Sequence, residues 1–143
     1  MFTTTNTKNI ISATEYQQIY QDDNLPNTLV FKWLSSTANA DTKTFLNEIV
    51  LAAKIIKQIK PQNILLLSND LKFVITPSIQ ERINQILLPV YLQNNVKKLA
   101  VVLPQNMLLK IAVETTVDYQ KPSHKFITKY FSSEKEAAMW LMY

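Results

Sequence analysis

The 143-residue chain contains no glycine and no cysteine. Ordinary proteins carry about 7% glycine, so the first absence has chemical consequences. A Walker-type phosphate loop, a G-x-G-x-x-G dinucleotide fingerprint and a G-x-S-x-G nucleophile elbow each need a glycine backbone close to a ligand or in a strained turn, and none of them can be built here. Left-handed backbone positions must fall to asparagine and aspartate, the next most tolerant residues. Asn24, Asn39, Asn69, Asn94 and Asn95 stand where turns are expected. The second absence removes disulfides, thiolate nucleophiles and thiolate metal sites. Arg82 is the sole arginine and His124 the sole histidine. A zinc site needs several close ligands, so a lone histidine following Lys121, Pro122 and Ser123 reads as an exposed loop residue. No apolar run approaches the roughly 20 residues that span a bilayer. Residues 1–9 are polar and threonine-rich, without the apolar centre or cleavage site of a secretory signal. A cytoplasmic location without a transmembrane segment is the expectation.

Apolar residues make up 47% of the chain and charged residues 18%, a composition that folds. The length suits one domain covering residues 1–143, with the polar stretch 1–8 expected to be flexible. The net charge is +4, carried almost wholly by lysine. Those lysines are scattered, with Lys97 and Lys98 the only adjacent pair. Nucleic-acid surfaces cluster their charge and favour arginine, so the basic balance reads as solvated surface.

Hydrophobic spacing gives the order of elements. "TKNIISA" (7–13) predicts a first short strand; 15–23 fits either a helical turn or an edge segment; "NTLVFKWL" (27–34) predicts a strand. Asp41 caps a helix whose inner face is Phe45, Leu46, Ile49, Ala52, Ala53, Ile56 and Ile59, and Pro61 ends it. "NILLLSND" (63–70) and "KKLAVVLP" (97–104) are continuously apolar, as strands buried on both faces are. Between them Thr76 caps a helix with Pro77 at its first position, Ile79, Ile83, Ile86, Leu87 and Val90 point inward, and Pro89 kinks or ends it. A helix over 106–119 turns Leu108, Leu109, Ala112 and Val113 inward. "KFITKYF" (125–131) is a last strand, and Ser133 with Glu136 forms a capping box for a helix to about residue 142. The fold class is therefore α/β: a single small domain with a mixed, largely parallel sheet of four to five strands flanked by about four helices.

Several segments in this order carry a family resemblance: "LVFKWL", "IKQIKPQNILLL", "ITPSIQERI", "VKKLAVVLP" and "KYFSSEKEAAMWL". Over residues 9 to 142 the chain resembles the SpoIIAA-like branch of the STAS fold, small α/β domains of anti-sigma-factor antagonists and related regulators. The resemblance implies the fold and a non-catalytic regulatory or binding role through protein–protein contacts. The expected partner is an unidentified protein, a homodimer included. Those antagonists carry a phosphorylatable serine in an Asp-Ser-Ser-Gly turn. Here Ile75, Thr76, Pro77 and Ser78 stand in its place, so the phosphoswitch itself is not implied.

Candidate sites follow from position. Ligands of open α/β sheets bind beyond the carboxyl ends of strands, which singles out Ser68, Asn69 and Asp70, with Lys72 nearby. Thr76 and Ser78 place hydroxyls at a helix N-terminus, where an anion or phosphoryl group is stabilised. These five, Ser68, Asn69, Asp70, Thr76 and Ser78, are the candidate ligand-binding or phosphorylation residues. The plain reading of each is a turn or a cap. Trp33, Phe131, Trp140 and Tyr143 form an aromatic set, Trp140 packing on the sheet. Met139, Trp140, Met142 and Tyr143 are the candidate interaction patch. No catalytic, cofactor-binding or metal-ligating set is indicated. Two other functions fit the pattern: a carrier of a small apolar ligand held between helices and sheet, and a small enzyme using the loops 68–78 and 104–107.

Overall fold

The computed structural model describes residues 8–119 and 125–143. The expected flexibility of 1–8 thus falls, except for Lys8, outside the described residues. Six strands form one sheet in chain order: β1 (Lys8–Ala13), β2 (Gln17–Asp22), β3 (Thr28–Trp33), β4 (Asn63–Leu67), β5 (Lys98–Val102) and β6 (Ile127–Phe131). β1 pairs with β2, and β2 with β3, antiparallel; β3 to β6 are mutually parallel. Helices α1 (Thr42–Ile59), α2 (Pro77–Gln93) and α3 (Met107–Asp118) connect the parallel strands, α4 (Glu134–Met142) follows the last, and a short 3-10 helix spans Ser35–Asn39.

The mixed, largely parallel sheet and the four helices agree with the sequence; the strand count does not, being six rather than four to five. The additional strand is the segment 15–23, left open between strand and turn. Gln17, Gln18, Gln21 and Asp22 hide its alternation, yet Ile19 and Tyr20 are buried and β3 supplies the backbone partners.

Alternation along the parallel strands separates two cores. Leu29, Phe31 and Trp33 of β3, Ile64 of β4, and Leu99 and Val101 of β5 pack against α1, α2 and α3. Val30, Leu65, Leu67, Ala100 and Val102 face the other way, onto Ala137 and Leu141 of α4. Successive crossovers of one hand place α1, α2 and α3 on the same face of the sheet. The expected aromatic set is divided by this layering. Trp33 stacks on Phe45, which in turn stacks on Phe73, in the larger core, whereas Phe131 and Trp140 pack on the α4 side.

Local chemistry sets the helix ends. The Asp41 carboxylate accepts the Thr44 N–H at 2.8 Å, and hydrogen bonding from Thr44 holds that carboxyl below its usual range. Thr76 occupies the N-cap of α2, but its hydroxyl makes no capping bond there. Pro89 lies inside α2, which continues to Gln93; its missing donor falls on an exposed side, so the helix does not end there. Among the described residues three have positive φ: Asn27, Lys60 and Asn95. Only Asn95 was on the expected set. Asn24, Asn39, Asn69 and Asn94 manage their turns without the left-handed region. Asn27 uses it to offer one carbonyl to the N–H groups of Gln62 and Asn63 at 3.0 Å each. Lys60, at φ 53° and ψ 57°, closes α1 ahead of Pro61. A side chain with Cβ in that conformation is strained, so Lys60→Gly should stabilise the fold by about 1 kcal/mol, read as a rise in urea midpoint at unchanged m-value.

The outward residue of α3 is the largest departure from the helical reading. Val113, Thr116 and Val117 are the buried ones. Leu108, expected inward, is 79% exposed. A helix apolar around most of its circumference leaves its rotation undetermined by spacing alone.

Candidate functional site

The carboxyl ends of β4, β5 and β6 meet in one polar hollow. β4 leads into Ser68, whose hydroxyl donates to the Val102 carbonyl at 2.6 Å and whose N–H reaches the same oxygen at 3.0 Å. Ser68 is buried, and it ties β4 to β5 instead of facing a ligand. A turn follows, closed by the Leu71 N–H on the Ser68 carbonyl, which exposes Asn69 and Asp70. Leu71 and Phe73 anchor the loop in the core. The Lys72 N–H is held at 2.9 Å by the hydroxyl of buried Thr37, so the 3-10 helix braces this loop from below.

The β5 end contributes Leu103, Pro104, Gln105 and Asn106. The Asn106 side chain caps α3 by accepting the Leu109 N–H at 3.1 Å. The β6 end contributes Ser132, Ser133 and Glu134. Ser133 accepts the Glu136 N–H at 3.2 Å, the N-cap half of the expected capping box, and its hydroxyl, not its backbone N–H, donates to the Glu136 carboxylate at 3.0 Å. These three ends enclose about 370 Å³, with Asn69, Asp70, Lys72, Gln105, Ser133 and Glu134 among the lining residues. Two carboxylates, one ammonium, amides, hydroxyls and the positive ends of α3 and α4 share the space. The combination suits hydrogen bonding to a polar molecule.

The structure therefore brings Asn69 and Asp70 together with the 104–106 loop. It sends Ser68 into the sheet. Thr76 and Ser78 lie exposed at the start of α2, their hydroxyls 3.3 Å apart, and neither lines this hollow. Ser132, Ser133 and Glu134 are members that the sequence reading missed as site residues; extending the strand-end rule to the last parallel strand points to them. His124 lies outside the described residues. Among the described residues no cluster of three or more His, Cys, Asp or Glu is placed to hold a metal ion, and no helix is long and apolar enough to cross a membrane.

A second hollow of about 520 Å³ opens on the other side of the 103–105 loop, beside Lys110, Glu114 and Tyr130. The Tyr130 hydroxyl donates to the Asp118 carboxylate and contacts the Glu114 carbonyl at 3.2 Å. Burial first, and then the Asp118 carboxylate, push that phenol far above its ordinary range. Between the sheet and α1, α2 and α3 there is also an apolar cavity of about 70 Å³.

The candidate interaction patch is part exposed and part packed. Met139, Met142 and Tyr143 are exposed. Trp140 is half-buried, its ring centroid 5.7 Å from that of Phe131, with the Lys98 ammonium 5.1 Å from its own centre. Comparison with family models, curated proteins and solved structures gives no match.

Proposed function

We propose that the chain is a non-catalytic regulatory or binding module of the STAS/SpoIIAA-like type, working through protein–protein contacts. The observation that carries this reading is the apolar surface left uncovered on two helices. Met139, Met142 and Tyr143 lie on or just beyond α4, and Met107, Leu108, Ile111 and Tyr119 lie on or just beyond α3. Large side chains grouped in this way at a surface favour association. The repeated order of strand and helix, ending in "KYFSSEKEAAMWL" as strand, capping box and helix, agrees with the family likeness.

The rim hollow favours a second reading, in which the module also takes a polar small molecule at Asn69, Asp70 and Lys72. An apolar cargo fits less well: the 70 Å³ core cavity is smaller than the roughly 150 Å³ that holds one benzene.

Affinity capture with mass spectrometry tests the principal reading. Wild-type protein should retain a defined protein partner, and Met142→Glu should lower that capture about tenfold while Asp70→Ala leaves it intact. A turnover abolished by Asp70→Ala would replace the binding module with an enzyme.

A further inference from the structure

We propose that the outward face of α3 pairs with the same face of a second copy of this chain, the two helices running antiparallel. This rests on the protein-contact reading above and supplies its partner.

At 3.6 residues per turn, positions 107, 108, 111, 115, 118 and 119 share an arc of about 120°. Met107, Leu108, Ile111 and Tyr119 on it are 65%, 79%, 53% and 68% exposed. The polar residues on the arc, Thr115 and Asp118, are exposed, but each already has a hydrogen-bond partner within the chain. The Thr115 hydroxyl donates to the Ile111 carbonyl at 2.8 Å and so presents its methyl outward. The Asp118 carboxylate accepts from Tyr130. The opposite side of the helix already packs on the core through Val113, Thr116 and Val117. A soluble helix that is apolar on both sides has a partner for each of them.

Charge selects that partner. An in-plane membrane helix flanks its apolar face with several Lys or Arg; here Lys110 stands alone beside Glu114 and Asp118. Lys110 and Glu114 lie on one flank of the arc, the cation nearer the N-terminus. A two-fold axis perpendicular to both helices keeps this flank on one side and reverses its direction. Lys110 of each copy then approaches the partner subunit's Glu114. Ile111 meets the partner subunit's Thr115 near the axis, and Leu108 meets the partner subunit's Tyr119 at the ends. An isologous contact requires such self-complementarity, and antiparallel macrodipoles add to it. Twelve residues of helix give a contact about 18 Å long, which places the dimer in the weak, concentration-dependent class.

Sedimentation equilibrium from about 1 µM to about 1 mM, the range of weak dimers, tests the pairing. Wild-type protein should dimerise within it. Ile111→Glu should raise the dimer Kd at least about tenfold with an unchanged circular-dichroism melt, since the site is exposed. Lys110→Glu and Glu114→Lys should each weaken the dimer with an unchanged circular-dichroism melt, and the double exchange K110E/E114K should restore it, as reversed self-apposition predicts. A wild-type monomer at the highest concentration overturns the proposal. So does a dimer indifferent to Ile111→Glu, or an Ile111-dependent sedimentation of monomer with phosphatidylserine vesicles. A monomer whose partner capture still depends on Met142 removes the self-pairing and leaves the protein-contact reading standing.

Discussion

Phe45→Ala should destabilise the protein by about 3–5 kcal/mol, a large share of what a domain of this size has in total. Phe45 is 2% exposed. Its ring lies between Trp33 at 5.0 Å and Phe73 at 4.1 Å, nearly parallel to the latter. The stack joins the end of β3, the first turns of α1 and the loop that carries Asn69 and Asp70. Removing the ring would leave a void continuous with the 70 Å³ cavity that Phe45 already lines, so the walls have little to collapse onto. Urea denaturation checks the magnitude, with Phe45→Leu as a milder comparison at about 1–1.5 kcal/mol. A loss below that milder value for the alanine variant would show that the stack contributes little. The same variant should loosen the rim loop, because Phe73 loses its nearest ring.

Alkaline pH should unfold the protein over a defined window. Burial pushes the Tyr20 phenol up to about 12. Burial also raises Tyr91, and burial with Asp118 raises Tyr130. The folded state holds these phenols neutral, whereas the unfolded chain ionises them near pH 10. Stability from this source is therefore complete below about pH 10 and is lost as pH climbs through about 12. The limiting slope is about 1.4 kcal/mol per pH unit for each fully buried phenol. Tyr130, half-buried, contributes less because solvent screens it. Urea midpoints from pH 9 to pH 12 should fall along this course, with tyrosinate absorbance appearing together with unfolding. Tyr91→Phe should flatten the slope. A midpoint that stays level across the window would contradict it.

The parallel half of the fold was legible because β4 and β5 are apolar on both faces and their helices carry one wet side. The N-terminal hairpin was less so. β1 is exposed along nearly its whole length. β2 carries glutamines, and one of them, Gln17, is buried against Glu48 of α1 through bonds of 2.9 and 3.2 Å. Thr14 adds a bond of 2.5 Å to the same carboxylate. A buried glutamine and glutamate make a strand look like surface, and nothing in their spacing announces that they will find each other. At the rim, strand-end reasoning located Asn69 and Asp70. It also proposed Ser68, one residue too early, because sequence does not show where a ladder stops; the Ser68 N–H, bonded to the Val102 carbonyl at 3.0 Å, extends it. Leu108 was misplaced because "MLLKIAV" offers two apolar faces and only the packing of α3 beside α2 decides between them, with Gln80 donating to the Ala112 carbonyl at 3.3 Å.

Each strand of this sheet bonds only to those adjacent to it along the chain. No strand must wait for a distant one before it can pair, so each ring closure in assembly spans one hairpin or one strand–helix–strand unit. Closure entropy grows with the length of chain enclosed, and keeping every enclosure short lowers the barrier that makes parallel sheets slow. The architecture can thus be laid down by short closures, each strand adding to one that already stands beside it.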